Sequence, residues 1–159
     1  MDINTITDNP QDIDLFDLLD GQEYPERVVT VYTNSKAAAD VLALKDGDPK
    51  LFADAKETLT NTSLLFTVRG LEPGIVQDIY SAEGDEADVN KENVLIAKSI
   101  VSVKTGGGAN VSTVWDADAV GKLRRKLPLS EITKLIGEVV EVNFDSALFD
   151  NAVDAGFPS

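Results

Sequence analysis

The sequence contains no cysteine and no histidine. The first absence excludes a disulfide framework and a thiolate metal site. The second removes the commonest general base near neutral pH. Basic residues are few: Lys and Arg total 14 against 28 Asp and Glu, a formal net charge of −14. A surface of that sign repels nucleic-acid phosphates and anionic lipids and resists self-association. It favours a basic partner, or one that would aggregate if left alone. Long apolar runs are also missing, none approaching the ~18 residues needed to span a bilayer. The start, Met1-Asp2-Ile3-Asn4, lacks the basic and apolar segments of a signal peptide. The expectation is a cytoplasmic chain with neither a nucleic acid nor a membrane as partner. What is present suits one globular domain, since 159 residues with 43% hydrophobic content can build a core.

Along the chain, residues 1 to 24 form an acidic leader with Asp2, Asp8, Asp12, Asp14, Asp17, Asp20 and Glu23. Its composition is that of a mobile tail. The cluster Ile13, Leu15, Phe16, Leu18 and Leu19 offers a second reading, a short amphipathic segment that docks on the core or on a partner. Gly21 and Pro25 close the leader. A globular domain is expected over residues 25–144, and a terminal helix, a possible docking arm, over 145–159.

Within the domain, Arg27-Val28-Val29-Thr30-Val31-Tyr32-Thr33 is a β-branched strand candidate. Ser35 is placed to cap a helix from Lys36 to about Leu44. Asp46-Gly47-Asp48-Pro49 is a turn, and the helix after it carries Leu51, Phe52, Ala55 and Leu59 on one face. Leu64 to Arg69 alternates, with Leu64, Phe66 and Val68 inward. Pro73 then opens a helix striped with Ile75, Val76, Ile79 and Tyr80. Gly84 to Asp88 is an acidic loop. Helical spacing through Val94, Leu95 and Lys98 passes into Ser99–Lys104, and that run with Asn110–Trp115 flanks Thr105-Gly106-Gly107-Gly108-Ala109, the signature of a β-hairpin.

Helices fill the remainder. Asp116 or Asp118 caps a helix with Val120, Leu123 and Leu127 that stops before Pro128. Ser130 is placed to cap the next, where Ile132, Leu135, Ile136, Val139 and Val140 follow i, i+3, i+4, i+7, i+8. Asp145 can cap a last helix with Leu148, Phe149, Ala152, Val153 and Phe157 on one side. The fold class expected is α+β, a mostly helical single domain with a small antiparallel sheet.

No motif in the chain carries catalysis, a cofactor or a metal. Gly106-Gly107-Gly108 lacks the Lys-Ser/Thr and following helix of a phosphate loop. Asp85-Glu86-Ala87-Asp88-Val89-Asn90 lacks the glycine and glutamate spacing of a calcium loop. Asp116-Ala117-Asp118 is a capping pair rather than an acid–base pair. Asn61-Thr62-Ser63 and Asn110-Val111-Ser112 match glycosylation acceptors by coincidence. Lys122, Arg124, Arg125 and Lys126 are either a solvated face favouring a helix C-terminus or partners for acidic groups of the leader or another copy. The stripe Leu148, Phe149, Val153 and Phe157 either completes the core or is a partner-binding element.

Several segments in order, Phe66-Thr67-Val68-Arg69-Gly70-Leu71, Leu95 to Val103 with its hairpin, Leu123-Arg124-Arg125-Lys126-Leu127-Pro128, Leu135-Ile136, Val142-Asn143-Phe144 and Ala152-Val153-Asp154-Ala155-Gly156-Phe157, resemble the tail assembly chaperones of siphophages, particularly those infecting actinobacteria. The likeness spans residues 60–157. It implies a non-enzymatic factor of the host cytoplasm that coats the tape measure protein, helps recruit tail tube protein and is absent from the mature virion. Genes of that family often make a longer product by programmed frameshifting, a further partner together with other copies of the chain. The ending Ala155-Gly156-Phe157 permits the slippery codons GCG-GGT-TTC. Alternatives are a head–tail connector or neck protein retained in the virion, and an acidic mimic of DNA.

Overall fold

The computed structural model describes residues 12–81, 88–145 and 147–156. In chain order the elements are α1 (Leu15–Asp20), β1 (Glu26–Val31), α2 (Ser35–Leu44), α3 (Pro49–Asn61), β2 (Leu64–Arg69), α4 (Pro73–Ser81), α5 (Asp88–Ser99), β3 (Ile100–Thr105), α6 (Ala117–Lys126), α7 (Leu129–Phe144) and α8 (Leu148–Gly156). The result is an α+β domain, mostly helical, around a three-stranded antiparallel sheet of order β1-β2-β3.

Alternation in the strands sets the buried face. Val29 lies opposite Phe66 and Val31 opposite Leu64, while Phe66 lies opposite Val103 on the other side. A side-chain period of two therefore puts Val29, Val31, Phe66, Val68 and Val103 on one buried face. Helix α7 covers that face because Ile132, Leu135 and Val139 recur at helical spacing and are buried. Helix α5 completes the core with Leu95, Ile96 and Ala97, then passes without a loop into β3. Helices α2 and α3 pack chiefly on each other.

Local capping chemistry sets most boundaries, with two corrections. Asp48 accepts from the N–H groups of Lys50 and Leu51, with Pro49 at the first helical position. The cap of α2 is Asn34 rather than Ser35: its Oδ1 accepts from Ala37 N–H at 2.9 Å, and Ser35 is already helical. Ser130 is not the cap of α7. That helix starts at Leu129 after Pro128, whose carbonyl accepts from Glu131 and Ile132, and no side chain caps it. Proline forces the preceding Leu127 into extended geometry and so ends α6. Of the acidic pair before α6, Asp116 is the cap, bonding Ala119 N–H, and Asp118 pairs with Lys122.

The expected hairpin forms only at its turn. Thr105 N–H donates to Ala109 and Lys104 bridges Asn110, but Asn110–Trp115 does not continue as a strand. The chain instead leaves the sheet edge and packs Trp115 against Phe66, ring centroids 5.8 Å apart, so burial of a large aromatic outweighs further edge pairing. The glycines have separate reasons. Gly108 has φ +97°, and a Cβ on Gly106 would stand 1.8 Å from the Thr60 carbonyl oxygen. The acidic loop expected at Gly84–Asp88 lies outside the described residues except for Asp88, which begins α5. The calcium-like run likewise keeps only Asp88–Asn90 within them, all helical.

Candidate partner-binding cleft

The described members of the terminal stripe, Leu148, Phe149 and Val153, are not part of the core. Asp145 accepts from Ala147 N–H at 3.1 Å and turns the chain into α8, no residue of which is buried. Leu148 is 37% exposed, Val153 50% and Phe149 80%. Phe157, the last member of the expected stripe, lies outside the described residues. The helix within the described part of the leader, residues 12–24, is similar. Asp14 accepts from Phe16 N–H and caps the six-residue α1, which buries nothing and leaves Phe16 71% exposed.

These two peripheral helices line one cleft of about 760 Å³. Phe16 and Leu19 come from α1, Leu148 and Phe149 from α8, and Tyr24, Pro25, Leu71, Pro73 and Val142 lie between them. Sequence reading found both apolar clusters but not their meeting, because they stand more than a hundred residues apart.

The floor is tied down by a polar network. Leu71 N–H donates to Asn143 Oδ1 at 2.8 Å, and Asn143 Nδ2 donates to Ser99 Oγ at 3.1 Å and Val139 O at 2.9 Å. One amide thus joins the exit of β2, the end of α5 and the last turns of α7. Gly70 N–H donates to Pro25 O, and a Cβ at Gly70 would stand 2.5 Å from Val142 O, so only glycine lets β2 pass this close to α7. The floor is thus hydrogen-bonded across three elements, while the two helices beside it bury no residue.

Among the described residues, the charged side chains lining the cleft are Asp20, Glu23, Glu72 and Asp145, with no Lys or Arg. The basic run of α6 is elsewhere and partly used: Lys122 pairs with Asp118, and Arg124 reaches Glu92 at 2.6 Å and Asn93 at 3.0 Å. Arg124, Arg125 and Lys126 occupy the last turn of α6, where positive charge is favoured. A second depression, about 680 Å³, runs along β1 past Val28 and Tyr32. Of its charged lining residues, Arg27 pairs with Glu138 and also with Glu141 outside the lining, and Lys134 pairs with Glu131, also outside it. Among the described residues no helix is long and apolar enough to cross a membrane. No protein-family model, curated protein or solved structure matches the chain.

Proposed function

We propose that this chain is a tail assembly chaperone of a long-tailed bacteriophage. In this reading it binds the tape measure protein in the host cytoplasm, keeps it dispersed, helps recruit tail tube protein and does not remain in the virion. The observation that carries the proposal is the cleft: Phe16 and Phe149, on helices that bury nothing in the core, face one apolar groove on a strongly acidic protein. Apolar docking surface inside a like-charged shell is what a carrier of an aggregation-prone chain requires. The tape measure protein and tail tube protein enter through the sequence resemblance; the cleft supports the mode of binding.

Co-expression with the tape measure protein tests the reading. The native chain should keep that protein in the soluble fraction, and Phe149→Asp should lose most of the effect while its circular dichroism stays native. Mass spectrometry of purified virions should find the chain missing or in trace. Stoichiometric recovery from virions would overturn the proposal in favour of a connector.

A further inference from the structure

We infer that the occupant of the cleft is an amphipathic helix whose apolar stripe is flanked by lysine and arginine. The inference rests on the reading of the cleft as the partner site and specifies the chemistry of that partner. Charge complementarity carries it. Among the described residues, every charged side chain lining the groove is a carboxylate: Asp20, Glu23, Glu72 and Asp145. An apolar helix flanked by acidic residues would bring like charges together in a partly desolvated groove, and an anionic lipid surface is opposed for the same reason.

A helix is favoured over an extended segment because of the backbone. An extended chain needs partners for its N–H and C=O groups, whereas a helix satisfies its own. Among the described residues the cleft offers no strand edge, since its lining contains no residue of β1, β2 or β3. The Asn143 amide at its floor already accepts from Leu71 and donates to Ser99 and Val139. Beside the four carboxylates, the described lining offers Phe16, Leu19, Leu71, Val142, Leu148 and Phe149, an apolar complement to a helical stripe at i, i+3, i+4 and i+7.

The test uses the full chain and synthetic peptides of about 18 residues, long enough to be helical. One carries a Leu/Phe stripe flanked by Lys, a second the same stripe flanked by Glu, and a third has Lys flanks with Ser in the stripe. Fluorescence anisotropy should show the Lys-flanked peptide binding at least about tenfold more tightly than the Glu-flanked one at low salt. That preference should shrink to less than about threefold near 0.5 M salt, as screening predicts. The Ser-stripe peptide should bind negligibly. Combining Glu23→Gln with Glu72→Gln should reduce the preference without abolishing binding, while Phe149→Ala and Phe16→Ala should weaken both apolar-stripe peptides. Equal binding of the Lys and Glu peptides overturns the inference, and so does full binding of the Ser-stripe peptide. Indifference to both Phe substitutions would place the binding elsewhere and overturn it too. The functional proposal fails separately: the peptide preference could hold for a chain retained in virions, and the tape measure protein could co-purify without any preference for basic flanks.

Discussion

At the scale of single residues, close approach and charge decide more than residue type. Gly106 and Gly137 look alike in the sequence, yet a Cβ meets the Thr60 carbonyl oxygen at 1.8 Å in one case and nothing within 4 Å in the other. Gly106→Ala should therefore cost about 3 kcal/mol or more, because backbone has to move. Gly137→Ala, inside α7, should stabilise by up to about 1 kcal/mol through helix propensity. Urea denaturation of both variants checks the pair, and equal effects would show that packing at Thr60 is not what restricts Gly106. Glu131 gives a pH-dependent case. Burial pushes its carboxyl pKa up, but Lys134, the Tyr32 N–H and Ser130 together outweigh burial and hold it below the ordinary glutamate value. A lowered folded pKa contributes stability above the unfolded value, about 4.3, and loses it as pH falls through the folded one. Glu131→Gln should cost about 1 kcal/mol at pH 7, and its deficit relative to the native chain should shrink by pH 3. A deficit of the same size at both pH values would mean that charge contributes nothing there.

Among the elements, stability is distributed unevenly. Helices α1 and α8 bury no residue, and α2 and α3 lean mainly on each other. The sheet with α5 and α7 holds the fully buried side chains Phe66, Leu95, Ile96 and Leu135. Removing residues 1–21, which keeps Tyr24 and the Pro25 carbonyl bond to Gly70, should change the thermal midpoint by less than about 3 °C. A fall beyond about 8 °C, roughly 2 kcal/mol for a domain of this size, would show that α1 packs on the core. Native-state hydrogen exchange should find α2 and α3 amides opening at lower free energy than those of β2 and α7. Uniform protection across all four would contradict a separate helical pair.

For the whole molecule the dominant quantity is the net charge of −14. Self-repulsion destabilises the compact state, so salt should stabilise the free protein. Raising NaCl from about 20 mM to about 500 mM should lift the thermal midpoint by at least about 3 °C. The same salt should weaken the Lys-flanked peptide complex, and this opposition of sign separates global repulsion from local complementarity at the cleft. A midpoint that stays flat with salt would mean that the charges are too dispersed to strain the fold.

The sequence alone determined what depends on local period and local capping. The inward set Phe66 and Val68, the α7 stripe Ile132, Leu135 and Val139, and the Asp48-Pro49 helix start all follow from side-chain spacing or a bond to a nearby N–H. Tertiary structure decided where distant groups compete. Trp115 leaves the sheet for Phe66, and Pro128 governs the start of α7 while the Glu131 side chain is drawn to Tyr32. The cleft belongs wholly to this second class. Phe16 and Phe149 stand 133 residues apart by their numbering (149 − 16), and only packing of β2, α5 and α7 around Asn143 brings α1 and α8 to one groove. No local pattern encodes that meeting, because it depends on the relative placement of elements that share no hydrogen-bonded neighbour in the chain.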